Sequence, residues 1–176
     1  MALPNLKPTE DYSLETTTTR EFYIYPGYSE SSMISLRVCA VLGTAFLVIG
    51  ILGFAFPALM SMHLASMHNW MHVLSGALTL WISMHFAPPA AKRFCLIFGS
   101  FYLLFGVLGF IAGHPGVSTL GYVDATRYLW TPIDRLIELG TADHVVHMIF
   151  GIVFIIAGFV KVKESPIRQK IISETQ

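Results

Sequence analysis

The chain has 176 residues, of which 54% are hydrophobic and only 12% charged, with 11 Lys and Arg balanced by 11 Asp and Glu. About a quarter of an ordinary soluble domain is charged, and here the charges are also segregated: residues 38–91, 94–123 and 144–160 hold no Asp, Glu, Lys or Arg. The length fits one domain, the uncharged runs exclude a soluble globule, and the balanced charge excludes the basic footprint of a nucleic-acid binder.

Residues 1–36 are polar, with Thr16 to Thr19 in a row and then the aromatic stretch EFYIYPGYSE. They lack the apolar h-region of a secretory signal and read as a cytoplasmic tail. Phe22, Tyr23, Tyr25 and Tyr28 are sticky for a linker. They suggest a segment that docks on a larger membrane-protein complex or lies along the membrane surface.

About 20 apolar residues cross the hydrocarbon core, and four segments are expected to do so: 36–56, 68–87, 93–112 and 143–160. With no water in the bilayer to satisfy the backbone, each should be helical. Pro57 closes the first, and Pro88 with Pro89 closes the second, because proline cannot continue a helix. Cys39 and Cys95 sit just inside the first and third spans, not in a secreted framework, so no disulfide is expected.

Basic residues set the orientation. Arg37, Lys92, Arg93, Lys161, Lys163, Arg168 and Lys170 flank one side, whereas Arg127 and Arg135 flank the other. The positive-inside rule then places both termini in the cytoplasm, 57–67 and 113–142 outside, and 163–176 as a cytoplasmic C-terminal tail. The membrane is an inner, cytoplasmic-type membrane or a photosynthetic one.

The first span repeats in the third. RVCAVLGTAFLVIGILGF (37–54) aligns with RFCLIFGSFYLLFGVLGF (93–110), matching Arg37 to Arg93, Cys39 to Cys95, and Gly43, Gly50 and Gly53 to Gly99, Gly106 and Gly109. Gly43 with Gly50, Gly99 with Gly106, and Gly151 with Gly158 are spaced by seven, which keeps each pair on one face where helices can approach closely. The second and fourth spans share a motif as well. MHNWMHVLSG aligns with ADHVVHMIFG, so His72 matches His147, Gly76 matches Gly151, His68 falls on Asp143 and Asn69 on His144. The fold expected is all-α: an integral membrane four-helix bundle of two parallel-repeat hairpins, occupying 37–162.

In the long outer connection, Thr131, Pro132 and Asp134 have the look of a helix start, and Gly140 of a stop. A short interfacial helix over about 131–140 is expected, with Ile133, Leu136 and Ile137 as its apolar stripe.

Residues four apart share a helix face, so His68 with His72 and Asp143 with His147 form matching pairs. Three readings compete for them. In the first they form a polar clasp, with His72 and His147 bonded to Asn69, Asp143 or each other. In the second His72 and His147 are axial ligands of haem b or a chlorophyll-type pigment, with Gly76 and Gly151 leaving room for the macrocycle. In the third His68, His72, His147 and Asp143, joined by His63 or His144, hold a metal at the outer face. His85 and His114 look interfacial. No nucleophile–base set, phosphate-cradling loop or HExxH pattern is present, which argues against an enzyme.

At these residues the chain resembles an uncharacterised family of bacterial four-helix integral membrane proteins, a domain of unknown function. In that family the second span opens with His-Asn-x-x-His-x-x-x-Gly and the fourth with Asp-Asn-x-x-His-x-x-x-Gly. Here these are His68-Asn69-Trp70-Met71-His72 through Gly76, and Asp143-His144-Val145-Val146-His147 through Gly151. Arg93, Gly99, Tyr102 and Leu108-Gly109 resemble the family's third span, and the likeness covers about 37–160. His144 departs from the family's Asn. The resemblance implies the fold and the motif, and no activity.

Taken together, these features point to a non-catalytic accessory subunit of a larger membrane complex, in contact with lipid and docked through residues 1–36 and the 122–140 connection. A haem- or chlorophyll-binding protein is the alternative, and an outer-face metal-binding protein the third reading.

Overall fold

Long runs without charge leave the backbone to bond within itself, and helices result. The computed structural model describes residues 28–120, 124–161 and 163. It contains α1 (Ile34–Ala55), α2 (Ser66–His85), α3 (Pro88–Ala112) and α4 (Thr141–Phe159). Between α3 and α4 lie three strands, β1 (His114–Gly116), β2 (Thr126–Ile133) and β3 (Ile137–Leu139). Residues 1–27, which carry most of the expected docking tail, and 164–176 lie outside the described residues.

Among the described residues three segments are long and apolar enough to cross a membrane: Ser31–Ala55, Pro88–Ala112 and Thr141–Phe159. Of the four spans expected, the second, α2, stands apart from these three. It has the length, at 20 residues, but His68, Asn69, His72, Ser75 and Thr79 make it too polar to qualify by composition. Pro88 and Pro89 also act differently from expectation. Helix α2 already ends at His85, and the two prolines form the first turn of α3, where a missing N–H costs nothing.

Glycines bring the helices together in pairs. A Cβ added to Gly50 would lie 2.8 Å from Asn69 O, and one on Gly43 3.0 Å from Leu80 N, so α1 lies directly on α2. A Cβ on Gly106 would lie 2.7 Å from His144 O, and one on Gly99 2.8 Å from Gly151 O, so α3 lies directly on α4. An aromatic core joins the pairs. Phe46 on α1 and Phe154 on α4 are both fully buried. The Phe46 ring meets Tyr102 at 4.9 Å and Phe150 at 5.0 Å. Cys39 and Cys95 are free, buried thiols whose sulfurs lie 3.4 Å apart. Nearby, Ser35 Oγ–H donates to Ala157 O at 2.8 Å and so ties α1 to the end of α4.

The interfacial helix expected at 131–140 does not form. Instead β2 and β3 make an antiparallel hairpin turning at 134–136, and β1 pairs with the other edge of β2. The sequence TRYLWTPI is rich in β-branched and aromatic residues that suit a pleated surface. Burial also contradicts the expected stripe: Leu129, Ile137 and Leu139 are buried, while Ile133 and Leu136 are exposed. Pro132 cannot donate to the ladder, and the pairing register slips between Trp130 and Ile133. Arg135 occupies the left-handed region at the turn, with φ 59°.

Candidate functional site

The motif residues converge where α2 and α4 begin. Asp143, in the first turn of α4, is fully buried. Its carboxylate accepts the Gly140 N–H at 2.7 Å, which closes the helix start, and the His63 N–H at 3.0 Å. His63 Nδ1 lies 3.3 Å from the same carboxylate as a further donor. His63 belongs to the connection between α1 and α2, so one carboxylate fastens that connection to α4. His68 Nδ1–H then donates to the His63 carbonyl at 2.7 Å and lies 3.9 Å from Asp143 Oδ1.

Behind this knot stand three close imidazoles. The ring of His72 is 4.5 Å from that of His68 and 6.0 Å from that of His147, and His68 is 5.8 Å from His147. His147 Nδ1–H donates to the Asp143 carbonyl at 2.6 Å within its own helix. His72 makes no hydrogen bond at either ring nitrogen and lies against Phe46, centroid to centroid 5.6 Å. Of the two histidines expected in the clasp, His147 bonds Asp143, through its backbone carbonyl. Asp143, His63 and His68 tie the structure, whereas His72 bonds neither Asn69, Asp143 nor His147.

His144 turns away from this cluster. Its Nε2–H donates to Tyr128 O on β2 at 2.9 Å, and its ring lies 5.3 Å from Phe110. Among the described residues, no group of three or more His, Cys, Asp or Glu side chains is arranged to hold a metal ion. His144 does not join His68 and Asp143: helical geometry places it on the face towards Gly109.

Gly76 and Gly151 leave no open space for a tetrapyrrole. The room expected at Gly76 and Gly151 is filled by neighbouring backbone: an added Cβ would meet Gly43 O at 2.7 Å and Leu103 N at 2.5 Å, respectively. These glycines serve helix contact, and a macrocycle there would have to part α1 from α2 or α3 from α4. His85 and His114 are exposed at helix ends, bonded only to nearby carbonyls.

A second polar knot lies in the connection between α3 and α4. Glu138 on β3 is buried, and its carboxylate accepts Ser118 Oγ–H at 2.6 Å, Thr119 N–H at 3.0 Å and Thr119 Oγ1–H. Burial alone would push this carboxyl up, but the bonds from Ser118 and Thr119 outweigh it and hold the group below the ordinary glutamate range. The sequence reading missed both Glu138 and the central part played by His63. A lone acid between two apolar residues in Ile-Glu-Leu was the available signal for Glu138. For His63 it was an ionisable residue close before the motif.

Residues 41–111 match a family described as a short repeat of unknown function (DUF308). The matched stretch runs from within α1, through α2, to the last turn of α3. It supports an uncharacterised domain of unknown function as the coarse resemblance. No curated protein and no solved structure matches the chain.

Proposed function

We propose that the chain is a four-helix integral membrane protein of two related hairpins, and that it serves as a non-catalytic subunit of a larger membrane complex. Support for the hairpin repeat comes from paired contacts. Gly53 abuts the Asn69 side chain as Gly109 abuts His144, Gly50 abuts Val73 as Gly106 abuts Met148, and Gly43 abuts Leu80 as Gly99 abuts Ile155. Each pair joins residues already aligned between the sequence halves. In this reading α2 crosses the membrane despite its polarity, because its polar side chains at His68, Asn69, His72 and Thr79 are buried against other helices. Basic ends place both termini in the cytoplasm.

The observation that carries the non-catalytic role is the commitment of Asp143. Among the described residues of α1–α4, Asp143 is the one buried carboxylate, and it spends its acceptors on Gly140 and His63, which leaves it to hold structure. Meanwhile Val41, Ile51, Leu74, Ile97 and Ile156 present apolar faces outward, fit for lipid or for neighbouring subunits. The test is purification from the native host in mild detergent, with a visible spectrum and a native mass. A colourless protein that migrates with larger partners, and loses them when residues 1–36 are deleted, supports the reading. A pigmented protein, or one that stays a lone chain from its own membranes, overturns it.

A further inference from the structure

At the end where α3 begins and α4 finishes, Lys92, Arg93, Lys161 and Lys163 surround an open recess of about 500 Å³, with Pro89 and Leu96 completing its lining. The ion pairs between described residues lie elsewhere, at Asp143 and at Asp134. The recess has a fixed frame. Ser32 Oγ–H donates to Lys163 O at 2.8 Å, Lys163 N–H donates back to Ser32 Oγ at 2.7 Å, and Ser29 N–H donates to Lys163 O at 3.0 Å. The strand of chain carrying Lys161 and Lys163 is thereby held against the start of α1. Its floor is equally tight, since Leu96 packs on Gly158.

The recess sits where two helices able to cross a membrane come to an end. Just towards the apolar side, Ile97 and Phe159 are 74% and 71% exposed. Four clustered cations at the rim, with exposed apolar side chains on the same two helices, repeat the layout of a phospholipid, an anionic head above acyl chains. We propose that this recess binds the headgroup phosphate of an anionic phospholipid, whose chains lie along Leu96, Ile97 and Phe159. A basic pocket at the cytoplasmic ends of membrane helices is suited to such heads. A volume of this size lies within the range of roughly 300–1,000 Å³ usual for small-ligand sites.

The experiment is native mass spectrometry of the detergent-purified full chain titrated with phosphatidylglycerol, with phosphatidylcholine and with inorganic phosphate. Phosphatidylglycerol should bind at least about tenfold more tightly than phosphatidylcholine, and each cation replaced by Gln should weaken it about fivefold. Lys161→Gln with Lys163→Gln is the main variant, and Arg127→Gln with Arg135→Gln at the opposite end is the control. Should the basic variants fail to fold, wild-type protein in rising salt gives the same answer, because headgroup binding must weaken several-fold as the charges are screened. Equal affinity for the two lipids, or salt-independent binding, overturns the proposal. Displacement of the lipid by millimolar inorganic phosphate also overturns it, by making the recess a free-anion site.

Discussion

Asn69 and His144 do the same work at corresponding posts. Asn69 Nδ2–H donates to Leu64 O and His144 Nε2–H to Tyr128 O, both at 2.9 Å, and each side chain rests on a glycine of the partner helix, Gly53 or Gly109. Each thus hangs the connection that precedes its helix from that helix's start. The role needs a polar donor of the right reach, which imidazole and carboxamide both supply.

This equivalence makes His144→Asn a mild change. We expect its thermal unfolding midpoint in detergent to stay near wild type. His144→Ala strands the Tyr128 carbonyl and should cost about 1–3 kcal/mol. Equal midpoints for the Ala variant and wild type would remove the role assigned to the bond.

Helix contact at the glycines gives a graded pair. The Cβ of Gly151→Ala would meet Leu103 N and Gly99 O, which are backbone atoms and cannot yield. That of Gly109→Ala would meet the His144 ring, which can swing aside. Gly151→Ala should cost up to about 3 kcal/mol, and Gly109→Ala less. Adding His144→Ala to Gly109→Ala should cost less than the two single effects together, because the alanine methyl then fills the space the ring left. A Gly151→Ala protein as stable as wild type would mean the helices are not in contact there.

Much of this was legible in the sequence because helix spacing and side-chain size leave a plain trace. Glycines seven apart predict a close face, and Gly43, Gly50, Gly99 and Gly106 all meet a neighbouring helix. The i, i+4 pairing likewise places His68 near His72. What did not show was direction. Asp143 and His144 are adjacent in sequence yet serve different faces, one towards His63 and one towards Tyr128. The outer connection misled for a related reason. Thr131-Pro132-x-Asp134 carries the marks of a helix start, but burying Leu129, Ile137 and Leu139 together required strands, a tertiary demand that overrides local signals.

The buried histidines separate structure from ligation. Asp143→Asn turns one acceptor into a donor facing the N–H groups of Gly140 and His63, and should lower the unfolding midpoint sharply, by about 1–3 kcal/mol or more. His72→Phe removes an imidazole that has no hydrogen bond and puts a ring of similar shape beside Phe46. It should leave stability unchanged or raise it, since burying an unpaired polar group is unfavourable. Differential scanning fluorimetry of both variants checks this. A strongly destabilised His72→Phe protein would show that His72 has a partner which matters.

Glu138 gives the three-stranded sheet an acid-sensitive fastening. The hydrogen bonds from Ser118 and Thr119 lower its proton affinity in the folded chain relative to the unfolded one. The unfolded state therefore takes up the proton first as pH falls. The stabilisation is fully present above the ordinary glutamate range, near 4.3, and is lost as pH drops through the lower folded value. Trp130, paired with Leu139 across β2 and β3, is a reporter beside Glu138. In a Trp70→Phe, Trp81→Phe background its emission should be steady from pH 7 to about 5 and shift red below about 4. In Glu138→Gln the acid limb should vanish. His144 lies 6.5 Å from Trp130 and can quench it when protonated, so a loss of intensity without a red shift that persists in Glu138→Gln belongs to the imidazole. A red shift unaltered by Glu138→Gln would place the fastening elsewhere.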